Sequence, residues 1–444
     1  MTMHLSERRV IHLTPPQILM AVFGFFIVLG TFFLKLPFAS TETVSWLDAF
    51  FTATSAMTVT GLVTVDTGTA YTLVGQIVIL LLIQIGGLGI MSFAVLIYIM
   101  LGRKIGISER LLIQQALNQT SVGGIIQLVK SLMVFSLVME GIAVVFLAFR
   151  WVPEYGVAKG LYYSLFHSIS AFNNAGFALW PDGLNRFVSD PIINSVISML
   201  FILGGIGFTV LIDLKKSKTF KELTLHSKLM IVGTIVINAV AFILILLFEY
   251  NNTATLGKLS VAGKIWGAYF QAVSPRTAGF NSVDIGSMEE PSIFFMIFLM
   301  FIGAGSASTG GGIKLTTFLA MVLSVITFLK GRDNIIIFRK TLPLLIIIKA
   351  LAITVISFLF IFAAVMALEL TQDLDFLPIL FEVVSAFGTV GLSMGITAKL
   401  TFFGKIVIIF IMFLGKIGPL TLAFAFAKKE NSKIRYPKED ILTG

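Results

Sequence analysis

The chain has 444 residues, no cysteine, four histidines and a formal net charge of +9, with 57% hydrophobic and only 12% charged residues. With a mean hydropathy of +0.97, its apolar runs cross a bilayer several times over, making it a polytopic integral membrane protein with no room for a large soluble domain. Disulfide, thiol and iron–sulfur chemistry are excluded, and His4, His12, His167 and His226 are too scattered to favour a histidine metal site.

The N-terminal stretch, Met1 to Pro15, is polar, and the apolar run after it continues past Phe33 with no small-residue cleavage site. It reads as a retained first helix rather than a signal peptide. The basic residues do not form a nucleic-acid surface but fall in particular loops: Arg103, Lys104 and Arg110; Lys215, Lys216, Lys218, Lys221 and Lys228; Lys330, Arg332, Arg339 and Lys340. A basic tail holds Lys428, Lys429, Lys433, Arg435 and Lys438. The positive-inside rule places these loops and both termini in the cytoplasm of a chain in the cell membrane. The opposite loops carry Glu42, Asp66, Glu154, Asp182, Asp284, Glu289, Glu290, Asp373 and Asp375, which either form a cation-concentrating vestibule or merely follow from orientation.

Along the chain one unit recurs: a long apolar helix, a short half-hydrophobic segment ending on a glycine, and a second long apolar helix. Repeat 1 (15–101) predicts helices over Gln17–Leu36 and Leu73–Leu101 around Met57-Thr58-Val59-Thr60-Gly61-Leu62. Repeat 2 (120–214) predicts Ile125–Phe149 and Pro191–Leu214 around Phe172-Asn173-Asn174-Ala175-Gly176-Phe177. Repeat 3 (226–330) predicts Lys228–Phe248 and Pro291–Leu329 around Arg276-Thr277-Ala278-Gly279-Phe280. Repeat 4 (341–427) predicts Leu344–Leu368 and Phe402–Ala427 around Phe387-Gly388-Thr389-Val390-Gly391-Leu392, with the tail over 428–444. The segments before the glycines, such as Trp46–Thr60 and Gly160–Ala175, are too short to span and suit re-entrant half-helices, because irregular backbone at membrane depth must be buried in protein or line water.

The fold expected is therefore an all-α polytopic membrane protein of four non-identical helix, pore-loop, helix repeats around one ion pore, with eight membrane-spanning helices and four re-entrant half-helices. A second register supports the repeat. Glycine clusters recur roughly 25 residues after each central glycine: Gly86-Gly87-Leu88-Gly89, Gly204-Gly205-Ile206-Gly207, Gly303-Ala304-Gly305 and Gly415-Lys416-Ile417-Gly418. For Gly86 and Gly204 the reading is close helix packing. Ser55-Ala56, Ser170-Ala171 and Ser385-Ala386 share a third register, with Val273-Ser274 in the third repeat.

Glycine permits the φ angles and close approach that let carbonyl oxygens replace an ion's hydration shell. The ion ligands expected are the carbonyls around Thr60-Gly61, Ala175-Gly176, Ala278-Gly279 and Val390-Gly391, binding potassium through backbone oxygens alone. In repeat 3 the run Gly303-Ala304-Gly305-Ser306-Ala307-Ser308-Thr309-Gly310-Gly311-Gly312-Ile313-Lys314 breaks an apolar span. Each glycine there costs about 1 kcal/mol relative to alanine, so this stretch (303–314) is expected to lie across the pore beneath the filter, against the alternative of a packing kink.

With these four segments in order, the chain resembles the superfamily of potassium transporters called Trk, Ktr and HKT, and its short length looks most like the Ktr membrane subunit. The resemblance covers Pro15 to the tail. It implies potassium uptake gated by an intramembrane loop in repeat 3, a homodimer with one pore per protomer, and a separate cytosolic ring subunit whose Rossmann-like domains bind the regulatory nucleotide, ATP or ADP. Sodium dependence also comes from the resemblance and from no residue. Lys416 occupies the family's basic position near the gate loop. It is expected to contact loop carbonyls, since a lysine inside an apolar helix seeks a cavity or a partner.

Only Thr389-Val390-Gly391-Leu392 comes near the TVGYG of potassium channels. Arg276 and Glu382 fall in neighbouring pore segments and are expected either to pair behind the filter or to reach water; Lys130, Glu140 and Lys349 have no partner readable from sequence. The chain has neither GxGxxG nor GxxxxGK[ST], so no nucleotide or other cofactor is expected in it. An alternating-access carrier of another cation is the alternative, but it typically uses two inverted repeats. An enzyme would need a clustered set of nucleophiles, acids or metal ligands, which is lacking here.

Overall fold

The computed structural model describes residues 14–89, 125–419, 421, 422, 437 and 439. The expectations placed on the N-terminal stretch before Thr14, on the far half of the first repeat's second helix, on the loop of Arg103, Lys104 and Arg110, and on the tail residues Lys428, Lys429, Lys433, Arg435 and Lys438 lie outside the described residues.

Each repeat opens with a long helix: α1 (Pro15–Leu34) in repeat 1, and α5 (Ile125–Tyr155) in repeat 2. Their counterparts α9 (Leu225–Glu249) and α13 (Leu344–Glu369) open repeats 3 and 4. These four are long and apolar enough to cross a membrane, with hydropathies of 2.3 to 2.8. At 1.5 Å rise per residue they match a hydrocarbon core of about 30 Å.

A short helix follows in every unit: α2 (Trp46–Thr58), α6 (Val157–Phe172), α10 (Val261–Val273) and α14 (Phe376–Gly388). Between α2 and the next long element lies the single turn α3 (Thr67–Ala70). Ser45 caps α2 by accepting from the Asp48 backbone N–H, and Ser260 caps α10 likewise from Gly263, satisfying donors that a helix start leaves free.

The second helices are interrupted within the stretches the sequence predicts for them. α4 covers Leu73–Leu88 and is closed by Gly89. In repeat 2 the expected Pro191–Leu214 helix is two helices, α7 (Pro191–Ile206) and α8 (Phe208–Lys216), set at 93°. Repeat 3 has α11 (Glu290–Phe301) and α12 (Leu315–Leu329), separated by the glycine-rich stretch. Repeat 4 has α15 (Phe402–Ile417), closed by Gly418. Gly89, Gly207 and Gly418 share one geometry, φ/ψ of 86/133, 104/130 and 92/135. A φ near +90° lies outside any helix and is open chiefly to glycine, so in repeats 1, 2 and 4 the last glycine of the cluster stops the helix; in repeat 3 α11 ends at Phe301, before its cluster. Counting the bent pair as one, the described residues hold up to five spans by length and composition.

Gly86 and Gly204 pack closely as expected, and Gly415 does the same: a methyl built on Gly86 would strike the Met57 carbonyl, on Gly204 the Phe172 carbonyl and on Gly415 the Phe387 carbonyl. Thus each of these second helices lies directly on its own short helix, backbone against backbone.

Contacts between units close a ring. Each second helix packs on the short helix of the next unit, α4 on α6, α7 on α10, α11 on α14, and α15 back on α2. Polar or aromatic pairs stitch the seams: Tyr162 donates to Gln76 Oε1 at 2.8 Å, Ser198 and Tyr269 are 3.1 Å apart, and Phe301 stacks on Phe387. Lys405 and Asp48 form the closing ion pair at 2.8 Å. A small hairpin of β1 (Ile336–Ile337) and β2 (Lys340–Thr341) joins α12 to α13, its turn made by Phe338 and Arg339 with φ of 47° and 62°.

Candidate functional site

The four short helices end beside one another, and each leads within four residues, or six in repeat 3, into a central glycine. Two residues before each glycine the backbone is left-handed: Val59 (φ 51°), Asn174 (57°), Thr277 (72°) and Thr389 (49°). The glycines themselves are positive too: Gly61 (94°), Gly176 (68°), Gly279 (76°) and Gly391 (93°). The residues between them, Thr60, Ala175, Ala278 and Val390, are not. In a strand successive carbonyls point to opposite sides; alternating the sign of φ swings them toward a common side. A left-handed β-branched residue costs about 1–2 kcal/mol, and three of the four positions carry Val or Thr. Such strain persists only where the surroundings enforce it.

The repeated serines supply that enforcement. The Thr60 N–H donates to the Ser55 carbonyl at 2.8 Å, Ala175 to Ser170 at 2.8 Å, Ala278 to Ser274 at 3.0 Å and Val390 to Ser385 at 2.9 Å. Their hydroxyls fasten the segment further on. Ser55 Oγ accepts from the Gly61 N–H at 3.0 Å and Ser385 Oγ from the Gly391 N–H at 3.1 Å. Ser170 Oγ donates to the Phe177 carbonyl at 2.8 Å, and Ser274 Oγ to the Phe280 carbonyl.

The four segments meet in cyclic order. A methyl on Gly61 would lie 2.5 Å from the Ala175 carbonyl oxygen, and one on Gly176 would lie 3.1 Å from that of Ala278. A methyl on Gly279 would strike the Val390 carbonyl, and one on Gly391 the Thr60 carbonyl. Each glycine thus abuts the carbonyl of the residue before the next repeat's glycine, and the fourth returns to the first. Four helix C-termini, each carrying about half a negative elementary charge, converge on this ring of oxygens, a surrounding that favours a cation.

The glycine-rich stretch lies against the side from which the segments enter. Gly303 donates to the Ile313 carbonyl at 2.8 Å, pinching the two ends of the loop together. Gly305 and Thr309 donate to the carbonyls of Gly205 (2.8 Å) and Gly204 (3.2 Å), Gly312 to that of Gly415 (3.2 Å), and Phe208 donates to Ala307 (2.8 Å). Ser308 Oγ bonds the Gly305 carbonyl at 2.6 Å and Ser306 Oγ meets Thr316 at 3.2 Å. The loop touches the left-handed residues of three repeats: Thr309 Oγ1 donates to Asn174 Oδ1 at 2.9 Å, the Gly311 N–H donates to Thr389 Oγ1 at 2.9 Å, and Gly310 abuts Thr277 Oγ1. Asn174 Nδ2 donates to Thr277 Oγ1 at 3.1 Å, so two of the three contacts are linked directly.

Lys416 places its Nζ 2.5 Å from the Thr309 carbonyl oxygen. Beside it, Lys314 Nζ reaches the Gly310 carbonyl at 2.6 Å. Two lysine side chains therefore hold adjacent loop carbonyls beside the ring. The contribution of Lys314 is not visible in the sequence, where it stands at the boundary between loop and α12.

The pairing considered for Arg276 and Glu382 does not form. Arg276 Nη1 donates to Asn238 Oδ1 at 3.0 Å, while Glu382 accepts from Ser393 Oγ at 2.7 Å and from Thr397 Oγ1. Each charged group meets neutral partners within its own repeat, although Arg276 Nε is buried without one among the described residues. Lys130 and Lys349 are exposed on α5 and α13. His167 is buried, with Nδ1 2.8 Å from the Tyr163 carbonyl and Nε2 accepting from the Leu179 N–H, and it stacks on Trp180.

Four helical units closed on a carbonyl ring, in a chain with several membrane-length helices, define a membrane transport protein. The chain belongs to the TrkH family of cation transport proteins, whose model matches residues 10–435. It is 56% identical to the Ktr system potassium uptake protein B of Bacillus subtilis, with 98% of each chain covered. It is 44% identical to the protein of that name from Vibrio alginolyticus, over 97% of this chain and 95% of the other. To the potassium/sodium uptake protein NtpJ of Enterococcus hirae it is 37% identical, over 97% and 98%. Its fold is similar to the crystal structure of the potassium transporter TrkH from Vibrio parahaemolyticus, with a TM-score of 0.74 at 21% identity, covering 95% of this chain and 86% of that one.

Proposed function

We propose that this protein takes up potassium through a filter made of the carbonyls of Thr60, Gly61, Ala175, Gly176, Ala278, Gly279, Val390 and Gly391. The observation that carries this reading is the cyclic contact of the four glycines with the preceding residues' carbonyls of the next repeat. Oxygens fixed around one axis replace a hydration shell without a charged side chain. The relatives named as potassium uptake proteins support potassium as the ion, and the one named for potassium and sodium supports sodium as a second.

In this reading the short helices α2, α6, α10 and α14 are re-entrant, and the second helices complete eight spans that are interrupted at the glycine clusters. The basic loops and both termini are cytoplasmic. Residues 303–314 are the gate, with Gly303, Gly305, Ser306, Ser308, Thr309, Gly310, Gly311 and Gly312 forming the barrier and Lys416 its latch. The protein acts as a homodimer, and a cytosolic ring subunit with nucleotide-binding domains regulates the gate. The Ktr system name of two relatives supports a further component.

The test is rubidium uptake into proteoliposomes holding this chain, competed by potassium or sodium. The expected result is that potassium suppresses uptake at lower concentration than sodium. Uptake indifferent to both would contradict the reading.

A further inference from the structure

Glu140 sits near the middle of α5 at 5% exposure, and no ion pair reaches it among the described residues. A buried carboxylate at membrane depth is expensive and generally serves function. Its partners are all neutral. Ser136 Oγ donates to Oε1 at 2.9 Å, and Gln84 Nε2, from repeat 1, lies 3.2 Å from both carboxylate oxygens. Gln84 Oε1 in turn accepts from Asn173 Nδ2 at 2.7 Å, and Asn173 Nδ2 also lies 3.4 Å from Glu140 Oε1. Asn173 also bonds the Ile169 carbonyl at 2.9 Å and packs against Gly87, where a methyl would strike its side chain. Ser168 Oγ donates to the main-chain oxygen of Glu140 at 2.7 Å, fixing α6 to α5 at the same level.

Asn173 stands three residues before Gly176 and next to Asn174, which holds the loop through Thr309. A chain of hydrogen bonds thus runs from the acid, across the seam between repeats 1 and 2, to the turn that aims the second filter segment. The equivalent position in repeat 3 is Arg276, which reaches Asn238 on its own first helix at 3.0 Å. Repeats 1 and 4 have Thr58 and Gly388 there, with no such strut: Thr58 bonds Thr54 and Thr60 locally, and Gly388 packs on the Met300 carbonyl.

We propose that Glu140 is a positioning residue for ion selectivity, setting the Ala175–Gly176 carbonyls through Gln84 and Asn173. The proposal rests on the carbonyl-filter reading. Without Glu140, the Gln84 amide is left without its buried acceptor and gives up its grip on Asn173, and the repeat-2 oxygens move relative to the other three.

The experiment is competition of rubidium uptake by potassium and sodium in proteoliposomes of Glu140→Leu, Gln84→Leu and the double variant, beside the unaltered chain and Gly279→Asp. Each single variant is expected to lower the potassium-over-sodium competition ratio about tenfold, the range of a lost buried hydrogen-bond partner. The double variant should lower it by less than the two single effects combined, because both residues act on the same Asn173 side chain. Single variants with an unchanged ratio, additive effects, or a uniform loss of all uptake that follows a lowered melting temperature would each overturn the role. If the unaltered chain shows no potassium-competed uptake, the filter reading fails and this proposal fails with it; if it does, and Gly279→Asp abolishes it, an unmoved ratio counts against Glu140 alone.

Discussion

Gly279→Ala is expected to lower potassium uptake at least about a hundredfold while the purified protein elutes and melts as the unaltered chain does. The left-handed φ of 76° at Gly279 would strain alanine by only about 1–2 kcal/mol, too little to unfold a chain of this size. The methyl group itself is the larger effect, since it lands on the Val390 carbonyl and stands 3.1 Å from Gly176 Cα. It would push one of four oxygens off the axis and narrow the opening at once. A ring that substitutes for a hydration shell cannot lose one member and keep the same balance. Gly24→Ala is the matched control, because a methyl there meets nothing within 4 Å and alanine favours a helix interior over glycine. Uptake by Gly279→Ala at the unaltered rate would remove the ring from the transport path.

Lys416→Gln is expected to raise the maximal rate of uptake about tenfold or more without changing which ion is preferred. The ammonium bonds the Thr309 carbonyl, and a hydrogen bond to a charged group contributes about 1.5–3 kcal/mol. If that bond exists only while the loop lies under the filter, its loss shifts the population of open loops by a factor on the order of ten to a hundred. Removing a positive charge from the approach also lowers the barrier to cations. Lys314 still holds the Gly310 carbonyl, so the loop is loosened rather than freed. Initial rates of rubidium uptake against concentration separate the two terms: a rise in rate with an unchanged half-saturation is the expected outcome, and an unchanged rate would show that Lys416 does not hold a barrier.

Much of this architecture is legible in the sequence because glycine is the residue that a close backbone approach demands. The spacing of Gly61, Gly176, Gly279 and Gly391 marks the four segments, and the run from Gly303 to Gly312 marks a helix that cannot continue. What escapes is geometry carried by residues with no local preference for it. Val59, Thr277 and Thr389 are β-branched, a type that disfavours left-handed backbone, and only Asn174 hints at that conformation. The surrounding serines impose it, and their repetition is visible while their hydrogen bonds are not. The second helices were expected to run on because the glycine clusters lie in apolar sequence. In repeats 1, 2 and 4 the last glycine of the cluster adopts a φ near +90° and interrupts the helix instead, which no count of apolar residues reveals. Arg276 and Glu382 illustrate the same limit, since adjacent repeats place them in similar registers but neutral partners within each repeat lie closer.

The most direct measurement is diffraction from crystals grown with rubidium, collected at the rubidium edge to locate the ion by anomalous scattering. The account predicts a peak on the axis among the carbonyls of Thr60, Ala175, Ala278 and Val390, diminished when sodium replaces rubidium and absent in Gly279→Asp. A bound ion at side-chain oxygens away from the four glycines, with no density at the ring, would contradict it.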